Sequence, residues 1–326
     1  MKRSYQFLGA CALSALALAF AGKATAAQYP DRPVHLVVPY PAGGPVDVLA
    51  RVLGQRLSDT LGQPFIVDDR PGASGTVGSE FVAKAAPDGY TLVMGNNATH
   101  ATNESLYPSL RYATLRDFAP IGLAATVTNI LVVAPNLPVQ SVAELIAYAK
   151  ARPGKLDYAS TGSGSAAHLT AEMFKLMTGT EIVHVPYKGA APATTDLLAG
   201  QVGLMFATAP SVLSYVKAGT LRALAVTSAA RWKNLPDIPT IAEAGVPGFT
   251  SDVWFGLFAP AGTPRDVVGR LNAALVKVAG AADVRAKLVD EGFDVTTDSP
   301  EEFRTFIAAE IAKWADVIKR SGAHVD

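Results

Sequence analysis

Residues able to hold an anion gather in three short segments. Pro39-Tyr40-Pro41-Ala42-Gly43-Gly44-Pro45-Val46-Asp47 sets two glycines and a tyrosine between an apolar run and a helical pattern. Glycine lets backbone approach a ligand closely, and the free N–H groups of a helix start attract negative charge. An ordinary strand-to-helix turn would use the same residues. Ser160-Thr161-Gly162-Ser163-Gly164-Ser165-Ala166-Ala167-His168 repeats the arrangement with more hydroxyls, and Ser165 suits an N-cap. A capped helix start with no ligand is the plainer alternative there. In Val185-Pro186-Tyr187-Lys188-Gly189, Tyr187 could stack on or hydrogen-bond a ligand and Lys188 could pair with an anion. A packed tyrosine beside a surface lysine fits equally well. Gly72-Ala73-Ser74-Gly75-Thr76-Val77-Gly78 could add a contact or simply allow close packing. Two helix starts facing one cleft would clamp a carboxylate or a dicarboxylate.

Other chemistries find little support. Gly162-Ser163-Gly164 lacks the third glycine of a dinucleotide fingerprint, and no phosphate-binding G-x-x-x-x-G-K-[ST] occurs. No G-x-S-x-G elbow or H-E-x-x-H pair is present. His35, His100, His168, His184 and His324 have no metal-ligand spacing, so no metal or cofactor is expected. A hydrolase would have to rest on Ser163 or Ser165 with His168. His168 and Glu172, four apart, read as an ordinary helix-face pair.

The elements that must position these loops alternate along the chain. Val34-His35-Leu36-Val37-Val38, Phe65-Ile66-Val67 and Thr91-Leu92-Val93-Met94 read as buried strands, with a helix from the Gly43 loop to Leu61. A second series follows, with strands at 156–160, 182–185, 204–206 and 221–226 separated by helices at 165–177, 191–198 and 210–216. Ser141 with Glu144, Thr263-Pro264 with Asp266, and Ser299-Pro300 with Glu302 mark further helix starts. Phe303, Ile307, Ile311, Trp314 and Ile318 share one face of the last helix. The pattern predicts two α/β domains, 27–127 with 252–326 and 128–251. The apolar segment Ile121 to Val133 is expected to cross between them and Val253 to Phe258 to cross back. Trp254 and Phe255 would then wall the cleft or fill the core.

The chain has 326 residues with 28 basic and 28 acidic side chains. Balanced charge argues against a nucleic-acid binder. The N-terminus changes this account. Lys2 and Arg3 precede a 15-residue apolar run from Phe7 to Ala21, and Ala24-Thr25-Ala26 supplies small residues. That is the layout of a cleaved export signal, and the run is shorter than the roughly 20 residues that span a bilayer. Removal of 1–26 takes away Lys2, Arg3, Lys23 and the single cysteine, Cys11. Twenty-five basic residues then face 28 acidic ones, a net of −3, and no disulfide is possible.

Taken together, PVHLVVPYPAGGPVDVLAR, VDDRPGASGTVGSEFVAKAAPDGYTL, GSGSAAHLTAEMFKLMTG, HVPYKGAAPATTDLLAGQV, LRALAVTSAARWKNLPDIPTIAEAG and WFGLFAPAGTP resemble, in order and spacing, the receptor family of tripartite tricarboxylate transporters, the Bug proteins. The resemblance implies a periplasmic binding protein of the type II flytrap class, with two α/β domains and an interdomain cleft. It implies a non-enzymatic, monomeric protein that presents a small carboxylate solute to permease subunits. Carried onto this chain, the family's ligand-holding positions are Tyr40, Pro41, Ala42, Gly43 and Gly44 with Asp47, and Gly162, Ser163, Gly164 and Ser165 with His168. Asn97, Thr99, Ala207 and Thr208 fall where the family lines its cleft. Three positions depart from the pattern. Pro45 replaces a common Ser or Thr and removes one N–H donor. Tyr40 adds a hydroxyl to an often aromatic position. Ala207 stands where an acid is frequent, which favours a ligand without an ammonium group. A sensor docking on a signalling partner would carry the same features.

Overall fold

Apolar β-branched runs become strands where the pattern places them. The computed structural model describes residues 29–325, so the expected export signal, with Cys11, lies outside the described residues. The first half contains β1 (Val34–Val38), α1 (Pro45–Leu61), β2 (Phe65–Asp69), α2 (Thr76–Ala83), β3 (Thr91–Asn96) and β4 (Phe118–Val127). The second contains β5 (Asn129–Val133), α3 (Val142–Lys150), β6 (Leu156–Ser160), α4 (Ala166–Thr178), β7 (Ile182–Pro186), α5 (Ala190–Leu198), β8 (Leu204–Thr208), α6 (Ala209–Lys217) and β9 (Arg222–Val226). The chain returns through β10 (Val253–Pro260) and ends in α7 (Arg265–Gly280), α8 (Ala282–Asp290) and α9 (Pro300–Ser321).

Two five-stranded sheets result, ordered β2-β1-β3-β10-β4 and β7-β6-β8-β5-β9. In each, three parallel strands pair with one antiparallel strand, β10 or β5, which pairs antiparallel in turn with the edge strand, β4 or β9. Both sheets are helix-covered, which is why β1 buries Val34, Leu36, Val37 and Val38 completely. The α1 stripe expected from periodicity, Val46, Leu49, Ala50, Leu53 and Leu57, is buried against the first sheet.

The outward crossing runs from β4 through Thr128 into β5. The return crossing differs from expectation. Val253–Phe258 does not cross, because β10 pairs along its length with β3 and β4 of the first sheet. Ser251 and Asp252 make the crossing instead. The Ser251 N–H donates to the Thr227 carbonyl at 3.0 Å, and Asn129 Nδ2 donates to the Ser251 carbonyl at 3.0 Å. The Thr227 hydroxyl donates to Asp252 Oδ1 at 3.2 Å. Both crossings are therefore tied by buried polar side chains.

The helix starts resolve individually. Ser299 and Glu302 form a reciprocal capping box on α9. Ser141 caps α3, but Glu144 reaches back to the Gln140 N–H, at 2.7 Å, one residue earlier than a capping box requires. Thr263 does not cap α7. Its hydroxyl donates to the Pro260 carbonyl at 2.8 Å, and Pro264 takes the cap position. Helix α9 packs on β4 and on α4, so one apolar core joins the two halves behind the cleft. Trp254 and Trp314 both donate indole N–H groups to Glu310 Oε2 at 3.0 Å within that core. Gly256 admits Phe303 of α9 so closely that a Cβ there would lie 2.1 Å from the ring.

Candidate functional site

Residues of both halves line an open cavity of about 840 Å³. That size lies within the range of small-molecule sites. Its wall takes residues from both sheets, and most of its side chains are apolar.

The first half supplies the β1–α1 loop and the end of β3. Tyr40, Pro41, Ala42, Gly43, Gly44, Pro45 and Val46 all line the cavity. The Tyr40 hydroxyl lies 3.2 Å from Asn96 Oδ1 as donor. Burial pushes the phenol up to about 12, outweighing the Asn96 hydrogen bond, so it remains protonated at neutral pH. Gly43 has φ +82°, a left-handed conformation that favours glycine. Its N–H is already used, donating to Asp47 Oδ2 at 2.7 Å. Asp47 Oδ1 in turn pairs with Arg51 Nε at 2.6 Å. Burial opposes ionisation of Asp47, but the Arg51 guanidinium and the Gly43 N–H together hold its carboxyl below the usual range. Asp47 is thus an internal anion seated on its own loop, and it does not line the cavity.

At the end of β3, Asn96 and Thr99 satisfy one another. The Asn96 N–H donates to Thr99 Oγ1 at 3.0 Å, and the Thr99 N–H donates to Asn96 Oδ1 at 3.1 Å. Thr99 is fully buried and faces away from the cavity. Asn97 is different. It is 4% exposed and lines the cavity.

The second half presents helix starts. Ala166 and Ala190 are the first residues of α4 and α5, Thr208 is the N-cap of α6, and all three line the cavity with Ser211. With the Gly44 cap of α1, four helix N-termini border one space. Pro45, Pro192 and Pro210 have no N–H, the Ala209 N–H donates to the Thr128 carbonyl at 3.0 Å and the His168 N–H to Ser165 Oγ at 3.3 Å; the remaining first-turn N–H groups lack intrahelical partners and carry partial positive charge.

The predicted loop Gly162, Ser163, Gly164 and Ser165 does not line the cavity, nor does His168. The reason is packing. A Cβ on Gly164 would lie 2.7 Å from Val325 Cγ1 and 3.2 Å from Leu106, so the loop is pressed against the other half. The Gly164 N–H donates to His168 Nδ1 at 2.9 Å, and the Ser165 hydroxyl accepts from the His168 backbone N–H at 3.3 Å. The Ser165 hydroxyl therefore does not meet the imidazole, and the one sequence-local hydrolytic pair involving it is not assembled. His168 stacks on His184 with centroids 4.0 Å apart. Burial, then the His184 neighbour, pushes it down to about 4, keeping it a neutral acceptor. Tyr187 also lies off the cavity, its hydroxyl donating to Asp196 Oδ2 at 2.8 Å. Ala207 is fully buried in the core, while its strand neighbour Thr208 lines the cavity.

Of the predicted residues, the structure brings Tyr40, Pro41, Ala42, Gly43, Gly44, Asn97 and Thr208 together. Sequence reading missed Asn96, Ala166, Ala190, Ser211, Phe293 and Glu291. Phe255 does wall the cavity and Trp254 faces the core, as strand alternation requires. Glu291 belongs to the turn after α8, where Gly292 packs on Pro210 of the opposite half.

Residues 49–323 match the model of the tripartite tricarboxylate transporter family receptor. The chain belongs to this family. It is 41% identical over 304 residues to protein BugT of Bordetella pertussis, covering 93% of each chain. It is similar to a solved R. palustris structure with adipate, at 44% identity and a TM-score of 0.78, covering 91% of this chain and all of that one. MatC of Rhodopseudomonas palustris with bound malate is 34% identical with a TM-score of 0.74, covering 89% of this chain and all of that one. Its relatives are solute-binding receptors, and its two mixed sheets follow the periplasmic binding-protein fold. Among the described residues no helix is long and apolar enough to cross a membrane, and no side-chain cluster suits a metal ion.

Proposed function

We propose that the chain captures a small carboxylate-bearing solute in the cleft and delivers it to the membrane subunits of a tripartite tricarboxylate-type permease. The periplasm is its place of work, reached through the N-terminal export signal. The observation that carries the reading is Asn97, a buried side-chain amide on the wall of a cavity bordered by four helix starts. Such donors solvate a carboxylate without a formal positive charge. Relatives solved with adipate and malate support the ligand class.

The test is thermal unfolding of the mature chain against a panel of mono-, di- and tricarboxylates, aliphatic and aromatic. Binding to the native state alone raises the melting temperature, by RT ln(1 + [L]/Kd) in stability. At least one acid should do so, and Asn97→Ala should weaken it about ten- to a hundredfold with little change in apo stability. A panel with no effect on apo protein would end the proposal.

A further inference from the structure

We infer that the solute is a monocarboxylate with an apolar body, and that Glu291 sets this preference by disfavouring a second carboxylate. The inference rests on the carboxylate reading and narrows it. Glu291 is the one charged side chain on the cavity wall, where no lysine, arginine or histidine is found among the described residues. It forms no ion pair among the described residues and is exposed, with Lys217 and Asp290 on the adjoining surface. The Gly292–Pro210 contact holds its turn against the opposite half, keeping the charge at the cavity in this conformation.

A first carboxylate can use Asn97 and the helix starts. A ligand body then meets Val48, Val127, Val253, Phe255 and Phe293, which offer no hydrogen bonds from their side chains. A second carboxylate would lose water against this surface and face Glu291 with no cation on the wall to offset it. At a separation of about 6 Å and an effective dielectric of about 40, like-charge repulsion is worth roughly tenfold in affinity.

Three acids with the same six-carbon chain separate the possibilities: hexanoate, adipate and 6-aminohexanoate, with benzoate and terephthalate as a rigid pair. Titration calorimetry at low salt on the mature chain is expected to give monoacids about tenfold tighter than the matching diacids. Glu291→Gln should tighten the diacids about tenfold and leave the monoacids within twofold. Added salt should narrow the wild-type gap as exposed charge is screened. Diacids binding tighter than monoacids, or a ratio unmoved by Glu291→Gln, would overturn the inference while leaving the carboxylate reading intact. Tightest binding of 6-aminohexanoate, lost in Glu291→Gln, would also overturn it by making Glu291 a cation partner. Failure of every acid in the wider panel removes both.

Discussion

Replacing Asp47 by alanine separates bracing of the β1–α1 loop from contact with the solute. The Asp47 side chain is 5% exposed, accepts the Gly43 N–H at 2.7 Å, and pairs with Arg51. A hydrogen bond to a charged acceptor is worth roughly 1.5–3 kcal/mol. Arg51 is half exposed and keeps Asp69 at 2.8 Å, so losing its Asp47 contact adds little. The expected destabilisation is about 2 kcal/mol, mostly from the orphaned Gly43 N–H. In a chain of this size that lowers the melting temperature by roughly 4 °C. Asp47→Asn retains an acceptor and should lose about half as much. The sign with pH is fixed by the lowered folded pKa. Asp47 stabilises fully above its unfolded value of about 3.9, and the contribution is lost as pH falls through the folded value. The deficit of Asp47→Ala in urea titrations should therefore be constant from pH 5 to 8 and shrink below about pH 4. A variant that melts like wild type yet no longer binds solute would refute the bracing role and return Asp47 to the ligand.

Two further perturbations test the frame behind the cleft. His100 is fully buried against Phe258, centroids 3.9 Å apart, and burial pushes it down to about 3. The unfolded chain binds a proton that the native one refuses, so stability falls as pH drops below about 6.5, by about 2 kcal/mol at pH 5 from this residue. His100→Phe should flatten that pH dependence in urea midpoints, and an unchanged slope would refute the assignment. Gly256→Ala places a Cβ 2.1 Å from Phe303 and should cost roughly 1–3 kcal/mol in calorimetric stability. Loss below about 0.5 kcal/mol would show that α9 yields easily.

Strands, helices and the first loop were legible because each is written locally. The two-residue alternation of β10 even separates Phe255, facing the cavity, from Trp254, facing the core. The second-half site was less legible for a physical reason. Gly162–Ser165 has the composition of a ligand loop, but its surroundings, Leu106 and Val325, come from distant parts of the chain. Ala166 and Ala190 carry no side-chain chemistry at all; what they present is backbone at a helix start. Glu291 sits at the end of α8, far in sequence from either loop, and only tertiary packing brings it to the wall.

The two strand–helix loops share a device that composition alone conceals. In each, a glycine N–H is taken by the side chain four residues on, Asp47 for Gly43 and His168 for Gly164. The Gly43 and Gly164 N–H groups are therefore satisfied internally. One loop uses an ionised carboxylate held by Arg51, the other an imidazole kept neutral by burial. Both bonds fix the loop ahead of the helix, so the remaining donors need little reorganisation when a solute arrives. Pre-organisation matters here because no cation is available on the wall to compensate a desolvated carboxylate. The attraction must come from several weak, fixed dipoles acting together: helix starts, the Asn97 amide and the hydroxyls of Tyr40, Thr208 and Ser211. Such a site gains affinity as water leaves it, since fixed dipoles strengthen as the local dielectric falls. Glu291 lies on the same wall, so the water-poor apolar surroundings that strengthen the first carboxylate's contacts also raise the cost of a second.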